Sequence, residues 1–173
     1  RQDGGWYNLV VPLAEADRME NAIRAAGEIK DEESRARVLR KLAEFCLTPG
    51  KETYADLVYD KAEKAAQAIA KERDQAGALA VLTKPLALFG QYERALQIAD
   101  SLEAGWRRVQ ALMYIAGALE VAGVDGASSM FDKARRAKEE IQDPEKLTEA
   151  ESVSAMALTA VGCFDKAMAA ALA

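Results

Sequence analysis

The feature that most constrains the fold of this 173-residue chain is an apolar stretch that occurs four times and ends each time at a glycine. The four glycines are Gly50, Gly90, Gly123 and Gly162. Counted back from each of them, mainly small or aliphatic side chains stand four, seven, eight and twelve residues earlier. These offsets follow one face of an α-helix, and glycine most easily adopts the left-handed backbone that closes a helix. The pattern therefore predicts four helices that each end at a glycine.

A second helix is predicted before each of these. An alanine always stands 28 residues before the glycine, and an Ile or Leu follows it seven residues later. The alanines are Ala22, Ala62, Ala95 and Ala134. The distances from one glycine to the next are 40, 33 and 39 residues, so long and short units alternate. We therefore expect an all-α fold of antiparallel helix pairs with about nine helices, the first over 14–29 and the last over 164–172.

The N-terminal segment GGWYNLVVP differs in composition from the rest of the chain. Its adjacent glycines loosen the backbone, and Pro12 is expected to stand before the first helix. We predict a linker or arm over 1–13 and a single helical-repeat domain over 14–173 that is part of a longer chain. Within this domain Pro85 is expected to kink or interrupt its helix.

Two stretches, GQYERALQIADSL and GCFDKAMAAALA, resemble the tetratricopeptide repeat. In both, an alanine that starts the next packing face follows the glycine by five residues, Ala95 after Gly90 and Ala167 after Gly162. The 33-residue spacing is close to the family's length of about 34. The units of 39 and 40 residues depart from it, and the aromatic residue usual in the first helix is missing. The resemblance implies a right-handed superhelix of antiparallel helix pairs, a TPR-like α/α solenoid, that binds a protein or peptide and has no chemistry of its own.

Composition argues against several other functions. The net charge of −5 disfavours nucleic acid as a partner, and the lack of histidine removes the commonest general base and metal ligand. We therefore predict no catalytic residue, no cofactor and no metal ion, and a protein that is not an enzyme. The longest uncharged stretch, 152–164, is shorter than the roughly 20 apolar residues of a membrane span. Cys46 and Cys163 stand at apolar positions and are expected to be core thiols of a cytoplasmic protein.

The candidate binding residues lie on the glycine-ended helices, which line the concave side of similar solenoids. The side chains that the periodicity turns towards that side are Arg37, Arg40, Glu44, Lys84, Gln110, Met113, Glu120, Glu149 and Ser152. Such a groove binds an extended segment or a helix through side-chain pockets. The basic stretch SRARVLRK, which contains Arg37, Arg40 and Lys41, is either a solvated face paired with acidic residues or a site for an acidic peptide or a phosphate.

Two further residues leave alternatives open. Trp106 either anchors the start of its helix by packing or offers a stacking platform to a ligand. Glu151 stands where the other units have Leu39, Leu79 and Leu112, and we expect it at an exposed end or in an ion pair rather than in catalysis.

The predicted function is a non-catalytic protein-binding scaffold or sensor module, a regulatory domain of a larger protein. The alternative is a structural subunit that is packed permanently in a multi-protein assembly, because the chain ends on an apolar helix at Leu172. The sequence does not predict the oligomeric state.

Overall fold

A computed structural model describes residues 3–171, and over that range the fold is all-α, as predicted. The helices are α1 (Asp3–Glu15), α2 (Met19–Gly27), α3 (Glu32–Phe45), α4 (Ala55–Gln67), α5 (Glu72–Leu88), α6 (Tyr92–Ser101), α7 (Trp106–Ala122), α8 (Ala127–Glu139), α9 (Pro144–Ala160) and α10 (Phe164–Ala171). A short 3-10 helix, Glu52–Tyr54, precedes α4, and no strand occurs between residues 3 and 171. Leu172, on which the predicted apolar end depends, lies outside the described residues.

The chain forms two compact units, residues 1–85 and residues 86–173, where the sequence predicted a single domain over 14–173. The division falls inside α5. In unit 1, α3 packs against α1, α2 and α4. In unit 2, α7 packs against α6, α8 and α9, and α9 packs against α10. Consecutive helices that touch across a short connection run antiparallel.

Most of the segment predicted as a linker or arm over 1–13 is helical, and this corrects the prediction. Residues 3–13 belong to α1, and Pro12 lies inside that helix rather than before it. A proline inside a helix removes one backbone donor and is normally unfavourable. However, α1 packs against α2 and α3 and buries Val10 and Ala14 completely. Because such packing outweighs local propensity, the helix forms in spite of its proline, and α5 likewise continues through Pro85.

The four repeat glycines all have the left-handed backbone predicted for them, with φ between 65° and 87°. After Gly90, Gly123 and Gly162, the N–H of the following residue donates to the carbonyl five positions back, at 2.9–3.0 Å. This Schellman arrangement satisfies carbonyls at a helix end. Asp17, with φ of 61°, is followed by the same bond, at 2.8 Å. Because Asp tolerates this conformation better than most residues, α1 ends in the same way without a glycine.

Asp17 also completes a longer internal repeat of about 73 residues. Asp17 and Gly90 are 73 positions apart, as are Gly50 and Gly123, while Gly90 and Gly162 are 72 apart. Shifted by 73 residues, α1–α4 coincide with α5–α8 to within four residues at each end. The pair α9 and α10 repeats α1 and α2 once more. Equivalent positions can therefore be compared between helices.

Candidate functional site

A group of basic side chains surrounds one carboxylate on unit 1. Glu44, near the end of α3, accepts hydrogen bonds from Arg40 Nη1 at 2.5 Å and from Lys41 Nζ at 2.9 Å. Helix geometry produces these contacts, because side chains three and four positions apart share a face. Lys84 of α5 adds a third charge that acts on the carboxylate, and the exposed Arg37 lies one turn before Lys41. These five residues are called the basic cluster below.

The pKa of Glu44 records the influence of these cations. Burial alone would raise the pKa of this carboxyl, but the hydrogen bond from Lys41 and the charges of Arg40, Lys41 and Lys84 outweigh burial and hold the pKa below its ordinary value. The five residues of the basic cluster carry four cations and one carboxylate, a net charge of +3 in a chain whose total is −5, and the neighbouring Asp31 offsets part of the charge of Arg37. The cluster is therefore a local site of attraction for an anion on an acidic protein.

Phe45 lies beside the basic cluster and contacts two lysines. The Nζ atoms of Lys41 and Lys51 lie 5.8 Å and 5.6 Å from its ring centroid, within the range of cation–π contacts. Lys51 also donates a hydrogen bond to the carbonyl of Ala14 in α1, at 2.7 Å. Lys51 Nζ also lies 3.9 Å from Asp17 Oδ1. These contacts therefore hold both ammonium groups in place, and the charge of Lys51 is partly offset by Asp17.

Four of the predicted binding residues thus lie on α3 and α5 of unit 1, and the cations of Arg40 and Lys84 both act on Glu44. Lys41 was missing from the predicted groove although it donates a hydrogen bond to Glu44. The signal was present in SRARVLRK, where Lys41 follows Arg37 by four residues and so lies on its face.

The five predicted residues of unit 2 fall into two groups. Gln110 is only 9% exposed, and Met113 packs against a buried apolar cluster that includes Leu158 and Val161. Both side chains therefore take part in the packing of α7 and offer little open surface. The remaining three are exposed: Glu120, Glu149 and Ser152.

The structure shows the contacts of Trp106 and Glu151, the two residues with alternative interpretations. The Arg107 guanidinium lies 4.3 Å from the centroid of the half-buried Trp106 ring, a cation–π contact with the next residue of the same helix, and both interpretations of Trp106 stay predictions. Glu151 forms an ion pair with Lys138 Nζ at 3.1 Å, and the prediction of an ion pair there is confirmed.

Both cysteines are free and buried, as expected for core thiols. Burial raises the pKa of Cys46 to about 11, and burial also raises the pKa of Cys163. Since the thiolate is the nucleophile, both side chains are protonated and weakly reactive at neutral pH.

Neither a metal-binding cluster nor a membrane-spanning helix occurs within residues 3–171. Within residues 3–171, no group of three or more His, Cys, Asp or Glu side chains is placed to hold a metal ion. In the same part of the chain, no helix combines the length and the apolar character needed to cross a membrane. Comparisons of the chain with protein-family models, with curated proteins and with solved structures gave no match.

Proposed function

We propose that this protein is a non-catalytic helical interaction module that binds an acidic segment of a partner protein at the basic cluster. The observation that carries the proposal is the convergence of Arg40, Lys41 and Lys84 on the single carboxylate of Glu44. The resemblance to tetratricopeptide repeats supports the same class of function, with these residues on the concave side of a right-handed superhelix.

The ion pairs of Glu44 indicate how a carboxylate of a partner would bind at the basic cluster. Its carboxylate occupies the position in which a glutamate or aspartate of an acidic segment would meet the same cations. Arg40 and Lys41 keep about a third of their side chains exposed, and Arg37 is exposed. An incoming carboxylate can therefore share these cations with Glu44 or displace it, at little cost in burial.

The test uses a fluorescently labelled polyglutamate peptide and measures its binding by anisotropy at low salt. Arg40→Gln and Lys84→Gln should each weaken binding by about two- to five-fold, the value of one partly exposed ion pair. Glu44→Gln should tighten binding, because it frees two cations. Added salt should weaken binding to the wild-type chain.

Arg135→Gln is the matched control, since Arg135 forms comparable ion pairs with Asp132 and Glu139 on α8 of unit 2. It should leave peptide affinity unchanged. If Arg135→Gln weakens binding as much as Arg40→Gln does, the peptide is held by non-specific charge attraction and not by the basic cluster. If Glu44→Gln binds the peptide more weakly than the wild type does, Glu44 does not compete with the peptide for these cations.

A second candidate function is that of a structural subunit in a permanent assembly. The observation that favours it lies on α10, where Phe164 and Met168 share one face and are 62% and 65% exposed. Exposed large apolar side chains at adjacent turns of a helix are typical of an interaction surface.

A further inference from the structure

Helix α1 runs beside α3 in the same direction. Lys51 joins the two helices near their C-terminal ends: its Nζ donates a hydrogen bond to the carbonyl of Ala14 in α1, at 2.7 Å, and lies 5.6 Å from the ring centroid of Phe45 in α3. The two helices also pack against each other. Residues that stand equally far before the turns at Asp17 and Gly50 therefore lie at about the same height along the pair.

Two apolar residues of α1 lie at the height of the basic cluster. Tyr7 and Arg40 both stand ten positions before their turns, and Val11 and Glu44 both stand six positions before them. Tyr7 is 39% exposed and Val11 is half-buried. Because these two residues are four positions apart, they share one face of α1. This pair is called the apolar strip below.

The apolar strip lies on the side of α1 that faces α3. In unit 2 the position six residues before the turn of α7 is Gly117, where a Cβ atom would contact a leucine side chain of α9 at 3.0 Å. In unit 1 the same position of α3 is Glu44, on which the charge of Lys84 in α5 acts. This position thus faces the next helix of the same direction. By the same geometry Val11 faces α3, and Tyr7 lies one turn earlier on that side.

The position of Tyr7 is also accessible in helices that have other helices before them. Arg40 of α3 keeps 29% of its side chain exposed, and Ser152 of α9 is exposed, although Ala80 of α5 is buried. An open side chain at this position therefore occurs in α3 and α9 as well as in α1.

We propose that the acidic segment bound at the basic cluster also carries an apolar side chain, which packs on Tyr7 and Val11 while its carboxylates pair with Arg40 and Lys41. The proposal rests on the function proposed above and adds a second chemical requirement for the partner. The axes of packed helices lie roughly 8–10 Å apart, and three residues of an extended segment span about that distance. A segment whose carboxylates bind α3 can therefore reach the apolar strip with a residue close by in its sequence.

The two surfaces contribute in different ways. The cations attract an acidic segment, but each partly exposed ion pair contributes little to affinity. Burial of apolar surface adds to affinity, and aromatic residues are frequent anchors of interfaces. Together they distinguish a segment with both features from one that is merely acidic.

The test measures, by fluorescence anisotropy, the binding of two labelled peptides. One has six glutamates flanked at each end by two leucines, and the other has serines in place of the leucines. The leucine peptide should bind the wild-type chain about three- to ten-fold more tightly, as expected for the burial of one apolar side chain. Tyr7→Ser should remove most of this preference, and Tyr7→Phe, which keeps the ring, should retain it. Arg40→Gln should weaken the binding of both peptides.

Leu57→Ser is the matched control, since Leu57 is 49% exposed on α4 and belongs neither to the apolar strip nor to the basic cluster. It should keep the preference for the leucine peptide. Circular dichroism should show unchanged helicity in all of these variants, because the substituted side chains are partly exposed.

Three results would overturn the proposal: equal affinity of the wild-type chain for both peptides, a preference that survives Tyr7→Ser, or an equal loss of preference in Leu57→Ser. If the serine peptide still binds and is still weakened by Arg40→Gln, the apolar contact fails while the function proposed for the basic cluster stands. If neither peptide binds, both proposals fail.

Discussion

Glu44 in unit 1 and Gly117 in unit 2 occupy the same position of the repeat, six residues before the turn glycine, and they make opposite kinds of contact. Around Glu44, charged side chains from α3 and α5 meet and keep part of their surface in water. At Gly117 the backbone of α7 lies so close to its neighbours that a Cβ atom there would be 2.6 Å from Val161 Cγ2 and 3.0 Å from Leu158 Cδ2.

The same position of the repeat can therefore hold either a partly solvated ion pair, as at Glu44, or a close apolar contact, as at Gly117. In unit 2 the side chains around Gly117 are packed too closely to rearrange without cost. In unit 1 the ion pairs of Glu44 are partly solvated, and each contributes little to stability. This difference supports the proposal that unit 1 binds the acidic segment. Because Arg40 and Lys41 pair only weakly with Glu44, they can pair with a carboxylate of the partner instead.

The largest effect is expected when the equivalent leucines of α5 and α1 are compared. Leu82→Ala removes a side chain that is 1% exposed and should lower the free energy of unfolding by about 2–5 kcal/mol. Leu9→Ala should cost less than about 1 kcal/mol, because half of that side chain is already in water. Denaturant unfolding followed by circular dichroism, at a concentration where the chain is monomeric, measures both. Equal losses would mean that the two helices bury this face alike.

The next effect tests the close packing of unit 2. Gly117→Ala should lower the free energy of unfolding by about 1–3 kcal/mol, because Val161 is a stiff, buried side chain that must shift to admit the new methyl group. Gly27→Ala is the control in unit 1: nothing lies within 4 Å of a Cβ atom at the end of α2, and up to about 1 kcal/mol of stabilisation is expected. Denaturant unfolding should therefore show a lower free energy of unfolding for Gly117→Ala and a higher one for Gly27→Ala. A higher free energy of unfolding for Gly117→Ala would show that α7 is not packed closely against Val161 and Leu158.

The helix ends show which parts of the fold could be predicted from the sequence. The four glycines predicted their helix ends, because a left-handed backbone is a local requirement that selects glycine strongly. Helix α1 was missed because an aspartate meets the same requirement at Asp17 and because tertiary packing overrides the proline at Pro12. The periodic pattern of apolar residues shows neither the backbone conformation of Asp17 nor the packing that stabilises α1 around Pro12.

The contacts of the candidate binding residues could be predicted only in part, for a related reason. Periodicity places a residue on a face of its own helix, and this was sufficient for Arg40 and Glu44, which are neighbours on α3. It does not say which other helix covers that face. Gln110 and Met113, the counterparts of Arg37 and Arg40, were therefore predicted as surface although α7 has neighbours over both of them.

A smaller effect separates the two kinds of helix end, Asp17 after α1 and Gly90 after α5. Asp17→Gly should raise the free energy of unfolding by about 0.5–1 kcal/mol, because glycine has no Cβ to oppose a φ of 61°, and this gain exceeds the loss of the long, largely exposed ion pair between Asp17 and Lys51. Asp17→Ala is the matched variant and should lower stability by a similar amount, since alanine tolerates this conformation less well than aspartate. The melting temperatures of the three chains should therefore rank glycine, aspartate, alanine. Any other order would mean that α1 does not end in the left-handed turn shared with α5.

The smallest effect concerns the charge of Glu44 itself. Its pKa is below the ordinary value of 4.5 in the folded protein, so the ionised carboxylate stabilises the fold above about pH 4.5, and this contribution is lost as pH falls through the folded pKa. At neutral pH, Glu44→Gln should lower the free energy of unfolding by a few tenths of a kcal/mol to about 1 kcal/mol, as expected for partly solvated ion pairs. The stability curves of variant and wild type, measured by denaturant unfolding across pH, should converge in acid. A gap that stays constant with pH would show that the cations do not act on Glu44 in the folded state, and unit 1 would then lose the electrostatic character that distinguishes it from the glycine contact of unit 2.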